Sequence, residues 1–147
     1  MHNLNVCPGG DNSWISLLVQ TNFQADQSGS WDFRINAQFG VGLQVKMNGA
    51  QVYLGGAIRR IGDWKDVQAK FSYWMAAGTW NSITFAGMTG GWAGEPFHVE
   101  FKRPNSDNWE VFSTAALKMK TAPVYSCDEP TGQREPRTSH FTIFQDF

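Results

Sequence analysis

Alternation with a period of two recurs along most of this chain, and it limits the fold more than any other feature of the sequence. In PFHVEFKR, Phe97, Val99 and Phe101 share one side, and His98, Glu100 and Lys102 the other. In DVQAKFSYWM the shared side carries Val67, Ala69, Phe71, Tyr73 and Met75. In VGLQVKM, Val41, Leu43, Val45 and Met47 oppose Gln44 and Lys46. Successive side chains of a strand point to opposite faces, so these segments are predicted to be half-buried strands. SWISLLVQTNF, SWDFRIN, TWNSITFAG, NWEVFST and SHFTIFQDF bring the candidates to about nine.

Turn chemistry separates these runs: Asn48-Gly49, Ala77-Gly78 and the stretch Pro104 to Asn108. TAALKMK, Thr114 to Lys120, is the one segment with a plausible helical turn. Short strands joined by turns, with no helices between them, indicate an all-β fold, an antiparallel β-sandwich of jelly-roll type. A closed barrel is the other architecture this pattern allows. No internal repeat is visible, which argues against a propeller. One sandwich domain is expected over residues 1–121. Residues 122–138, rich in proline, read as a linker or wrapped loop, and residues 139–147 as a terminal strand. That strand either pairs within its own sandwich or is donated to a neighbour.

Charge narrows the partners. The formal net charge is −1 and both signs are scattered. No basic stripe can neutralise a row of phosphates, so nucleic acid is not an expected partner. No apolar run approaches the roughly 18 residues of a membrane span. The opening MHNLNVCPGG lacks the apolar stretch of a signal peptide, which fits a cytosolic protein or a mature secreted chain. Cys7 and Cys127 flank the patterned region. Joined, they would close a loop of about 120 residues, worth roughly 4–5 kcal/mol on the chain-entropy account. Two free thiols are the alternative, since spacing alone pairs no cysteines. The disulfide is the expectation adopted, and with it a secreted or extracellular setting.

Catalytic and metal chemistry find little support. His2, His98 and His140 are isolated, and no zinc-ligand spacing occurs. No nucleophile elbow, P-loop or dinucleotide fingerprint is present. The sequence therefore predicts no cofactor, no metal and no enzyme. Paired carboxylates for glycoside hydrolysis are the one exception, because Asp32, Asp63, Asp66, Glu95, Glu100, Asp107 and Glu110 are all available to pair in a suitable fold.

Loops carry the candidate binding chemistry. GMTGGWAGEP presents Trp92 among glycines, and RRIGDWKD places Trp64 beside Arg59 and Asp63. An indole face can take the apolar side of a sugar ring, with Arg and Asp bonding its hydroxyls. The competing reading folds each indole onto the sandwich. Asn36 and Gln38 lie between two strands, either as a simple connection or as the rim of a site. Trp14, Trp31, Trp74, Trp80 and Trp109 fall in or at the ends of strands, where core or rim packing is expected.

In segment order the chain resembles the PA14/GLEYA-like β-sandwich modules of adhesins, toxins and carbohydrate-active proteins. The likeness runs from Trp31 to Ser113 through WDFRINAQFGVGLQVKMNGAQV, WKDVQAKFSYWMAAGTWNSITFAG and PFHVEFKRPNSDNWEVF. Within it, Ala77-Gly78-Thr79-Trp80-Asn81 looks like the family's second turn and Pro104 to Asn108 like the tip of its closing hairpin. The resemblance implies sugar binding, which in the family's lectins uses calcium held by two adjacent aspartates in the first turn. Here that place reads Asn36-Ala37-Gln38, with no carboxylate. Calcium takes roughly six to eight oxygens, anionic ones dominating its affinity, so calcium is not implied for this chain.

Two functions follow as expectations. The first is a calcium-independent carbohydrate-binding or adhesion module that uses Trp92, Trp64, Asn36, Gln38, Arg59 and Asp63. The second is a structural subunit of an extracellular filament or coat, assembled with copies of itself by donating SHFTIFQDF to a neighbour's sheet edge.

Overall fold

The structure is a computed structural model describing residues 16–37, 42–56, 69–88, 98–120 and 138–141. Its strands are β1 (Ser16–Gln24), β2 (Gly29–Asn36), β3 (Gly42–Met47), β4 (Ala50–Gly55) and β5 (Ala69–Met75). They continue with β6 (Trp80–Met88), β7 (His98–Lys102), β8 (Glu110–Val111), β9 (Met119–Lys120) and β10 (Thr138–Phe141). A six-stranded sheet has the order β10-β1-β6-β3-β4, with β9 also pairing β1, and a four-stranded sheet has the order β5-β2-β7-β8. The chain is thus an all-β sandwich.

Alternation decides which side chains meet between the sheets. Val19 and Phe23 of β1, Leu43, Val45 and Met47 of β3, and Ile83 and Phe85 of β6 are buried from one side. Trp31, Phe33 and Ile35 of β2, Ala69 and Met75 of β5, and Val99 and Phe101 of β7 are buried from the other. Phe112, just past β8, meets Phe23 edge-on at 5.1 Å and Phe101 edge-on at 6.1 Å, while Trp31 stacks on Phe101 at 5.5 Å. Edge-to-face and offset rings fill such a core favourably because each ring's positive edge meets a negative face.

Three turns fix the register. Asn48 and Gly49 both have positive φ (50° and 81°), the two-residue hairpin geometry that matches strand twist. Gly78 (φ 80°) and Asn105 (φ 58°) hold the third positions of the turns closed by Thr79 N–H to Ala76 O and Ser106 N–H to Arg103 O. In TAALKMK, the Leu117 N–H bonds Ser113 O at 3.0 Å in one helical turn, and the chain then extends as β9.

One edge of β1 is shared. β9 pairs antiparallel with it at Asn22 and Phe23, and β10 pairs parallel with it from Ser16 to Val19. The terminal strand thus adds a parallel edge to the sheet, where antiparallel pairing was expected throughout. Trp64, Trp92, Gln38, Arg59, Asp63, Cys7 and Cys127 lie outside the described residues, as does most of the Pro-rich segment.

Candidate functional site

The outer face of the four-stranded sheet collects the charged side chains that alternation excludes from the core. Register sets Asp32 of β2 between Ser72 of β5 and Lys102 of β7, and sets Arg34 between Lys70 and Glu100. Ser72 Oγ donates to Asp32 Oδ1 at 2.6 Å, and Lys102 Nζ lies 3.1 Å from Asp32 Oδ2. Arg34 Nε donates to Glu100 Oε2 at 2.7 Å. Its guanidinium carbon lies 4.2 Å from the ring centroid of Trp109, with Lys102 Nζ 5.4 Å from the same ring. A guanidinium over an indole gains from the ring's negative face. At the sheet's end, Arg103 joins Asp26, Glu110 and the Ala116 carbonyl.

Trp74 stands beside this network. It lies two residues beyond Ser72 on the same face of β5 and opposite Ser30 of β2. Residues so spaced along a strand are about 7 Å apart, close to the width of one sugar ring. The indole is 64% exposed, and no ring contact or cation contact involves it among the described residues. An apolar plate next to an ordered carboxylate, hydroxyl and ammonium is an arrangement that can stack a ring and bond its substituents.

Electrostatics keep Asp32 charged. Burial raises its carboxyl pKa, but the Ser72 and Lys102 hydrogen bonds and the Lys102 charge together outweigh that and leave it below the usual value. This is the wrong direction for a glycosidase general acid, which needs a raised pKa. Asp26 is paired with Arg103, Glu100 with Arg34 and Glu110 with Arg103.

The opposite face, outside the six-stranded sheet, is built differently. Cross-strand rows run Gln20, Thr84, Lys46, Gln51 and Leu18, Ala86, Gln44, Leu54. A third row pairs Asn22 with Ser82, and a fourth pairs Gln24 with Trp80. Lys120 Nζ and Lys118 Nζ lie 4.4 and 5.7 Å from the Trp80 centroid.

Asn36 is the last residue of β2, is 7% exposed and sits opposite His98, and Ala37 after it is buried and apolar. Among the described residues no three His, Cys, Asp or Glu side chains gather to hold a metal ion. Of the six binding residues expected from the sequence, Asn36 alone is described, and Gln38, Arg59, Asp63, Trp64 and Trp92 lie outside the described residues. Trp74 was expected to pack in the core or at its rim. The signal that would have singled it out was its phase: Ala69, Phe71, Tyr73 and Met75 claim the inward side, leaving Lys70, Ser72 and Trp74 outward.

No protein-family model matches the sequence, and no curated protein matches it. Among solved structures, the chain is similar to the PA14 domain of the MpAFP antifreeze protein, with TM-score 0.46 and 13% identity over 67% of this chain and 48% of that one. It is also similar to a PA14 sugar-binding domain from an RTX adhesin, with TM-score 0.44 and 16% identity over 63% of this chain and 49% of that one. The chain spans about half the length of the solved structures it matches. Both of those structures are PA14 domains.

Proposed function

We propose that this domain is a non-catalytic, calcium-independent carbohydrate-binding or adhesion module, working in an extracellular setting, whose sugar lies on the outer face of the four-stranded sheet. The supporting observation is Trp74, 64% exposed and next to the Ser72–Asp32–Lys102 network. The indole stacks on the apolar side of a sugar ring. Asp32 accepts from its hydroxyls, and Ser30, Ser72 and Lys102 supply the remaining hydrogen bonds. Trp64 and Trp92 are the competing stacking positions, with Arg59, Asp63, Asn36 and Gln38 as their polar partners. One sugar on one indole binds weakly, and useful adhesion comes from several domains on one surface.

β10 pairs with β1 of its own chain, which favours a binding module over the alternative, a structural subunit of an extracellular filament or coat assembled by strand donation.

A glycan array probed with the purified chain, Trp74→Ala and Trp92→Ala tests the reading. Binding lost with Trp74→Ala and retained with Trp92→Ala is the expected result. The reverse pattern moves the site to the loop, and an array silent for the unaltered chain overturns the function.

A further inference from the structure

The two outer faces of this sandwich differ in charge. Every carboxylate among the described residues, Asp26, Asp32, Glu100, Asp107 and Glu110, belongs to the four-stranded sheet or to the loops flanking it. The outer face of the six-stranded sheet carries Lys46 of β3, Lys118 and Lys120, with no carboxylate among the described residues. These lysines have no ion-pair partner among the described residues, whereas Lys102, Arg34 and Arg103 on the other side are all paired. Around them stand neutral donors and acceptors: Gln20, Asn22, Thr84 and the bonded pair Gln44–Gln51 at 2.7 Å. Trp80, 38% exposed, closes one end beneath Lys120.

We infer that this face is a second binding surface, independent of the Trp74 site, for an anionic polysaccharide whose sugars carry carboxylates, that is, a chain of uronic acids. The argument is charge complementarity together with the chemistry of the rows. An ammonium is a compact, strongly hydrated point charge with three donors, suited to isolated carboxylates along a chain. Amide and hydroxyl side chains both donate and accept, as sugar hydroxyls require. Neighbours within a row about 4.8 Å apart, and rows about 7 Å apart along the strands, present these groups to an extended ligand, not to a compact one. Nucleic acid fits less well. Its charge density calls for a denser basic track, and its bases for several stacking platforms, where this face offers Trp80 alone among its described residues.

The test is titration of the full chain with oligomers of polygalacturonate, with the methyl-esterified polymer as the same backbone without charge. Binding to the acid form that falls with added salt, and no binding to the ester, is the expected result. Lys46→Gln, Lys118→Gln and Lys120→Gln should each weaken it by about two- to fivefold, the range for one exposed ion pair. Lys70→Gln, which removes the same charge from the opposite face, should leave it unchanged, and all three exposed-face substitutions together should abolish it. Equal binding of acid and ester, equal losses with Lys70→Gln, or no binding of the acid form would each overturn the inference. So would tighter binding of a single-stranded DNA oligomer through the same lysines. Because Trp74 takes no part, failure here leaves the proposed function standing, and failure of the Trp74 test leaves this surface standing.

Discussion

Ser72 and Asp32 face each other across β5 and β2, with the hydroxyl donating to the carboxylate at 2.6 Å. This bond works with Lys102, and against burial, to hold the Asp32 pKa below its ordinary 3.8. A group with a depressed folded-state pKa contributes stability that is present above the unfolded value and lost as pH falls through the folded one. The Ser72 contribution therefore belongs to neutral pH. Urea unfolding of the unaltered chain and Ser72→Ala should give separated midpoints at pH 7, converging as the pH falls through the lowered Asp32 pKa, below 3.8. Midpoints equally separated at both pH values would mean that the hydroxyl stabilises the fold without reference to the carboxylate's charge.

Trp74 separates binding from folding. Its ring is largely in solvent, so Trp74→Ala should change stability by no more than about 0.5 kcal/mol, as surface substitutions do. Thermal melts beside the glycan array would check this, and a large loss of stability would show that the indole is structural.

Asn48 ties the β3–β4 hairpin to its surroundings. Its Oδ1 accepts the Ser82 N–H at 2.8 Å, and its Nδ2 donates to Asn81 Oδ1 at 2.9 Å and to Tyr73 OH at 3.3 Å. Asn48→Gly keeps the positive φ and removes these bonds, and it should cost about 1–3 kcal/mol in chemical denaturation. At Gly49 the space beyond Cα is open, so Gly49→Ala isolates backbone strain at φ 81° and should cost about 1 kcal/mol.

Phe112 joins the two sheets. It contacts the rings of Phe23, Phe33 and Phe101 and is fully buried. Phe112→Ala should cost about 3–5 kcal/mol, against a fraction of that for Val111→Ala, whose side chain is exposed. Equal effects in denaturant would contradict the assignment of Phe112 to the core.

Most of the fold was legible because alternation is a local property. Leu43, Val45 and Met47, or Val99 and Phe101, declare their buried side within a single segment, and Asn48-Gly49 declares its hairpin. Strand order was not legible. Nothing in the sequence near Ser16 or Thr138 says that β10 will lie parallel to β1, since that pairing depends on the path of the intervening chain. The candidate site at Trp74 was half legible. Abundant tryptophan pointed to stacking chemistry, and loop glycines pointed to Trp92 and Trp64, which lie outside the described residues. The polar phase of β5 held the signal for Trp74, and the Asp32–Lys102 pairing that surrounds it required the register of two further strands.

The central claim, that sugar sits on the outer face of the four-stranded sheet, is tested most directly by amide and indole chemical-shift mapping. A glycan that scores on the array would be titrated into the isotope-labelled chain. The account predicts shifts concentrated at Ser30, Asp32, Ser72, Lys102 and the Trp74 indole N–H. Shifts confined to residues 57–68 and 89–97, with Trp74 unmoved, would contradict it.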